Sequence, residues 1–210
     1  AQVVAGDPGW STQARSVSEF RILTTAREQR WGPATLSFGS VEVTSQVTSF
    51  LRRLPTGEVI GEHPLDLPRR TLSTTAVWWT LPDEQLAQAG IEEQQVPGAL
   101  HAAEHASIGL LPLIATCDRW DIGGVSTALH PDTGLPTVLV YDGHPGGAGF
   151  AEQGFHRAGT WLAATLEAVR ACGCATGCPS CVQSPKCGNG NHPLSKIGAV
   201  RVLTHLLAGR

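Results

Sequence analysis

Five of the six cysteines stand together as Cys172, Cys174, Cys178, Cys181 and Cys187 in the run CGCATGCPSCVQSPKC, and no other stretch restricts the fold so tightly. Loop 172–191 holds Val182 and otherwise small or polar side chains. It cannot offset the entropy of its own ordering by burying apolar surface, so something must cross-link it. Cys178-Pro-Ser-Cys181 is a CPxC turn that sends two thiolates to one side, and Cys174 and Cys187 supply two more. Four sulfurs in a tetrahedron make a structural Zn²⁺ site. The fourth seat is given to Cys174 rather than Cys172, because three residues before Cys178 let the chain turn whereas Cys172 sits against the preceding helix. Two other uses of clustered thiols compete. A disulfide framework suits an oxidising compartment, which nothing at the N-terminus signals. Four thiolates can also hold an iron–sulfur cluster.

The rest of the chain must fold around that loop. Of its 210 residues 41% are apolar and 16% charged, the balance of a globular body with a core. No run approaches the length of a membrane span, and no secretory segment is visible, so a soluble protein without a membrane partner is expected. The net charge of −3 is not that of a strongly basic nucleic-acid binder. The chain lacks methionine and begins with Ala1, from which we expect a piece of a longer polypeptide.

Hydrophobic periodicity predicts an α+β domain over 1–210. Residues 1–33 read as an irregular lead-in and 34–80 as a β-rich part, where apolar and polar residues alternate in Val41-Glu42-Val43-Thr44 and again over 71–80, with a hairpin turn at Thr56-Gly57. Residues 82–171 read as helices plus one short strand. A helix near 83–89 precedes one over 98–113, which Pro112 should end or kink. A buried strand over 135–141 then runs through a glycine turn, 143–149, into a helix reaching about Ala171. The zinc loop, 172–191, is thus clamped between two helices, the last spanning 192–210 with Ile197, Val200, Leu203 and Leu207 on one face.

The segments GCPSCVQSPKCGNGNHPLSK, HAAEHA, DIGG and YDGHPGGAGF together resemble the MrfA zinc-binding domain, found at the C-terminus of superfamily 2 DNA-repair helicases. The resemblance runs from about Phe38 to the last helix. It implies one structural Zn²⁺ per chain, held by Cys174, Cys178, Cys181 and Cys187, and a bacterial cytoplasmic parent enzyme that moves 3′ to 5′ on DNA using ATP. It also implies helicase motor domains on the same polypeptide, with DNA as a partner through them. No G-x-x-x-x-G-K-[ST] loop or D-E-x-H box occurs in this sequence, so ATP and Mg²⁺ belong to motor domains outside it, and the chain alone should not hydrolyse ATP.

Two enzyme classes compete with this auxiliary role. His101-Ala-Ala-Glu104-His105 has the H-x-x-E-H pattern of inverzincin peptidases, with both imidazoles one helical turn apart. Such a site also needs a third ligand and an open position, and the sequence marks no third ligand. Glu104, Asp121, Asp142 and Lys196 could form a Mg²⁺ nuclease centre only if the fold brought them together. The amides of the glycine turn could cradle a DNA phosphate, or the glycines could simply let a strand reverse into a helix. For DNA contact the candidates are Arg52, Arg53 and Lys186, with Arg69-Arg70 and Trp78-Trp79 behind them; tryptophans of this kind are more often core.

Overall fold

Six antiparallel strands pair in one sheet whose order departs from the order of the chain. The computed structural model describes residues 6–210. The strands are β1 (Ser11–Trp31), β2 (Ala34–Arg53), β3 (Val59–Pro64), β4 (Arg70–Thr80), β5 (Ile122–Thr127) and β6 (Thr137–Asp142). They lie in the order β1-β2-β4-β6-β5, with β3 attached to the distal half of β2. The expected lead-in over 1–33 is therefore corrected from Ser11 onward, since β1 pairs with β2 along its whole length; residues 1–5 of that lead-in lie outside the described residues. Gly32 and Pro33 close the hairpin. Gly32 has φ +56, and a Cβ there would press on the backbone of Gly209.

Strand alternation sorts the core into two faces. Leu36, Phe38, Val77, Trp79, Val138 and Val140 face the main core, while Val41, Val43, Ala76, Trp78 and Leu139 face a smaller cluster on the other side with Phe20. Trp78 and Trp79 are thus both buried, one on each face, and neither can stack on a base. The residue pair at the turn after β2 behaves as expected: Gly57, at φ +88, donates to the carbonyl of Leu54, and Leu54 pairs with Glu58.

Helices cover the main face. They are α1 (Asp83–Gln88), α2 (Val96–Leu110), α3 (Pro112–Ala115), α4 (Phe150–His156), α5 (Ala158–Ala171) and α6 (Lys196–Ala208). α2 is buried nearly all round, which explains its weak amphipathic pattern; it touches β5 and β6 on one side and α5 and α6 on the other. Pro112 ends α2 as expected and opens the short α3. Trp161 of α5 anchors the layers, fully buried, edge-on to Trp79 and donating from its indole nitrogen to the carbonyl of Ser107 in α2 (2.9 Å). That acceptor offsets the cost of burying the polar end of the ring.

Two local readings change. α6 begins at Lys196, capped by the Ser195 hydroxyl, and buries Ala199, Val202, Leu203 and Leu206; Ile197 is 64% exposed, so the apolar face is rotated from the one expected. Asp121-Ile-Gly-Gly124, whose glycines mark a loop by composition, enters strand β5 at Ile122, and those glycines are dictated by packing. A Cβ on Gly124 would stand 2.7 Å from Ile108 and 2.9 Å from Glu104 of α2. Among the described residues, no helix is long and apolar enough to cross a membrane.

Candidate metal centre

The cysteine loop leaves α5 at Cys172, whose extended backbone (φ −68, ψ 123) turns the chain away from the helix axis. That turn brings Cys172 into contact with the other thiols. Cys172 lies 3.6 Å from Cys174 and 3.5 Å from Cys178, Cys174 lies 3.5 Å from Cys181, and Cys178 lies 3.8 Å from Cys181, sulfur to sulfur. Sulfurs about 2.3 Å from a tetrahedral Zn²⁺ are separated by about 3.8 Å, so the four thiols already have the size of a zinc site. The donor set is all sulfur and closed, the character of a structural zinc.

The backbone holds this set in place. The amides of Cys181, Val182 and Gln183 all donate to the carbonyl of Cys178, and the Cys178 amide donates to the Cys181 sulfur (3.3 Å). Gly177, at φ +120, lets the chain enter the CPxC turn, where a Cβ would strike Val182. Val182 itself is fully buried in the main core and pins the loop to it. Lys196, the first residue of α6, donates to the carbonyls of Cys172 (2.6 Å) and Cys174 (2.7 Å), placing a cation beside the thiol cluster. Burial opposes ionisation here and pushes the Cys181 thiol up to about 12. It also opposes ionisation of Cys174, yet hydrogen bonds from the Cys181, Cys172 and Cys178 thiols and the Gly177 backbone prevail and hold that thiol at about 7. A divalent cation lets all four become thiolates together.

Of the four expected ligands, the structure brings together Cys174, Cys178 and Cys181, adds Cys172, and places Cys187 elsewhere. The correction follows from the path of the chain. Five residues separate Cys181 from Cys187, and the chain uses them to fold back on α2, where Cys187 meets His101 and His105 with all three donor atoms within 4.8 Å. Cys172 had no sequence mark to distinguish it from Cys174 beyond its distance from the helix end.

The nuclease constellation does not assemble, because each residue is held in a different hydrogen-bond set. Asp142, fully buried, accepts from the backbone amides of Ala148, Gly149, Phe150 and Ala151. Asp121 accepts from the Asp118 amide and pairs with His144 (3.2 Å). Glu104 is buried, accepts from Ser126 (2.6 Å), and is pushed up to about 7 by burial, the Ser126 hydrogen bond acting against the shift. Lys196 belongs to the cysteine loop. The same geometry decides the glycine turn: the amides opening α4 that could cradle a phosphate are already occupied by Asp142. Asp142, weighed in the sequence as a member of a metal-binding set, is instead the acceptor that organises this turn.

The DNA-contact candidates sit on different elements. Arg52 and Arg53 end β2, where the Arg52 guanidinium lies over the Trp10 ring at 4.6 Å. Lys186 follows the cysteine cluster, donates to the carbonyls of Ile122 (3.0 Å) and Arg119 (3.3 Å), and stands 4.9 Å over the exposed Trp120 ring. Arg69 pairs with Glu19 at the surface (3.4 Å).

Comparisons with known proteins agree with this geometry. The model of the MrfA Zn-binding domain matches residues 103–182, a span that takes in Cys172, Cys174, Cys178 and Cys181 and stops short of Cys187. The chain is 32% identical to the uncharacterized ATP-dependent helicase YprA of Bacillus subtilis over 84% of its own length and 23% of the helicase. It is 39% identical to the uncharacterized protein MJ1572.1 of Methanocaldococcus jannaschii, over 52% of this chain and 100% of that protein. Among solved structures, the DUF1998 helicase MrfA bound to DNA superposes with a TM-score of 0.68 at 29% identity, over 95% of this chain and 26% of the helicase chain. This chain thus spans about a quarter of the length of the helicases it matches. From the four-sulfur geometry, the matched span and these relatives together, the chain belongs to the MrfA zinc-binding domain family.

Proposed function

We propose that this chain is the zinc-ordered C-terminal domain of an ATP-dependent 3′ to 5′ DNA helicase of DNA repair in the bacterial cytoplasm, packed beside motor domains on the same polypeptide. The observation that carries the reading is the closed cage of Cys172, Cys174, Cys178 and Cys181, strung between α5 and α6 and pinned by Val182 to the core. A metal so placed fixes the register of two helices and does no chemistry on a substrate. Similarity to helicases over most of this chain supports the wider setting. ATP hydrolysis and translocation belong to the motor domains.

Contact with DNA is assigned to Arg52 and Arg53, side by side at the end of the β1–β2 ribbon. Lys186 is a weaker contact, because its ammonium group is engaged by backbone carbonyls and burial lowers its pKa. The test is unwinding of a 3′-tailed duplex by the helicase carrying this domain, together with fluorescence anisotropy on a single-stranded oligonucleotide. Replacing Arg52 and Arg53 by alanine should weaken binding and flatten the logarithmic salt dependence by about 1.4, the value for two lost phosphate contacts on single strands. Unchanged affinity and salt slope would remove the ribbon from the DNA path.

A further inference from the structure

Outside the four-cysteine cage, a second group of metal-ligating side chains converges on one point. His101 and His105 lie one turn apart on α2, and Cys187 reaches them from the loop that follows the cage. Both imidazoles are oriented from behind. His101 Nδ1 bonds the carbonyl of Pro193 (2.8 Å) and His105 Nδ1 bonds the carbonyl of Val182 (2.8 Å), so each Nδ1 carries the proton and each Nε2 keeps its lone pair. A backbone carbonyl behind each imidazole is how proteins orient metal-binding histidines. His101 Nε2 stands 3.5 Å from the Cys187 sulfur. Around a tetrahedral Zn²⁺, a nitrogen at about 2.05 Å and a sulfur at about 2.3 Å are separated by about 3.6 Å.

Cys187 is presented as firmly as its partners. Burial pushes the Cys187 thiol up, against which the Asn191 amide donates to its sulfur (3.1 Å), and a bound divalent cation would favour the thiolate. The Asn191 side chain closes the loop by bonding both the amide (2.7 Å) and the carbonyl (3.1 Å) of Ser184. Asn191 itself has φ +65, a left-handed conformation that asparagine tolerates and most residues resist. Burial keeps both imidazoles neutral, holding His105 at about 4 and lowering His101. Two neutral imidazoles and one thiolate leave a divalent ion with a net positive charge and one free coordination position. All three donors line a cavity of about 440 Å³ that also admits Glu104, Ser126 and Tyr141.

We infer that His101, His105 and Cys187 form a second transition-metal site, taking Zn²⁺ or a similar divalent ion, with its fourth position turned to this cavity and filled by water. The site is separate from the four-cysteine cage and does not depend on the helicase assignment. It also differs from a peptidase centre, since its third ligand is a thiolate and Glu104 is held by Ser126.

Metal stoichiometry of the full chain decides the matter. Protein stripped with chelator and reloaded with Zn²⁺ should carry two zinc ions per chain by mass spectrometry of the elements, falling to one in Cys187→Ala and in His105→Ala. Loading with Co²⁺ should give a four-thiolate charge-transfer band and, at the second equivalent, a weaker single-thiolate band that Cys187→Ala removes. Wild-type protein that saturates at one ion, or variants that both retain two, would overturn the assignment; the wild-type measurement stands even where a variant fails to fold. The four-thiolate band should persist in Cys187→Ala and in His105→Ala, so loss of the second site is read separately from the cage.

Discussion

Asp142→Ala should be among the most damaging single substitutions in the domain. The Asp142 side chain has no solvent exposure, and its Oδ2 accepts from the amides of Ala148 (2.6 Å), Gly149 (2.7 Å) and Phe150 (3.2 Å) while Oδ1 accepts from Ala151 (2.7 Å). The hydroxyl of Thr75 adds a longer fifth contact at 3.3 Å. Hydrogen bonds to a charged acceptor contribute about 1.5–3 kcal/mol each, so four amount to about 6–12 kcal/mol before desolvation of the carboxylate is set against them. That desolvation costs several kcal/mol. Removing the side chain recovers the cost but strands four amide groups between β6 and α4, and a net loss of about 4 kcal/mol follows, in the extreme tail for point substitutions. Asp142→Asn keeps one acceptor oxygen and should lose roughly half as much on the same scale. Urea unfolding followed by circular dichroism gives the global value, and hydrogen exchange should show the amides of 148–151 losing protection first. An alanine variant within about 1 kcal/mol of wild type, the ordinary range for a point substitution, would refute the claim that this carboxylate holds strand, turn and helix together.

Cys181→Ser should unravel the C-terminal third, because structural zinc contributes on the order of 10 kcal/mol of apparent binding energy near neutral pH and burial of Val182 cannot replace it; limited proteolysis with and without chelator checks this, and a protected α6 in the variant would contradict it. Trp161→Ala should cost about 4 kcal/mol, chiefly from lost burial, since the Ser107 carbonyl loses the indole N–H but keeps the Leu111 amide, measured as a fall in the urea midpoint at constant slope. Gly124→Ala should cost about 1–3 kcal/mol by forcing a methyl group into Ile108 and Glu104, and a neutral result in thermal melting would mean that β5 and α2 can move apart.

Much of this architecture could be read from residue order alone, and the exceptions share a cause. The CPxC turn, the strand, glycine turn and helix unit, and the stop at Pro112 are set by neighbours in sequence. β1 was missed because only Phe20 and Trp31 along it are buried; an edge strand with most side chains in water has no apolar alternation to detect, and its state is fixed by backbone pairing with β2. β5 was hidden by two glycines whose reason lies across space, in α2 and in the Tyr141 ring. The same holds for the ligand sets. Choosing Cys172 over Cys187 requires knowing that α5 ends one residue before Cys172 and that the chain after Cys181 returns to α2, and neither fact is local.

The paired strands β1 and β2 run well past the segment of β2 that β4 supports, Thr35 to Ser45, with β3 widening their distal part. This ribbon is fastened to the body where Ser16 donates to the carbonyl of Gly188 (3.1 Å) and Arg15 reaches that of Asn189 (3.2 Å), next to Cys187 in the chain. From Ser16 to Ser11, which pairs with Arg53, is five residues or about 17 Å. The ribbon is therefore a lever with its fulcrum beside Cys187, and a tilt of about 10° there moves the two arginines by about 3 Å. Whatever pulls on the tip applies torque to the loop presenting that sulfur, and whatever stiffens the loop narrows the arc through which the tip can swing.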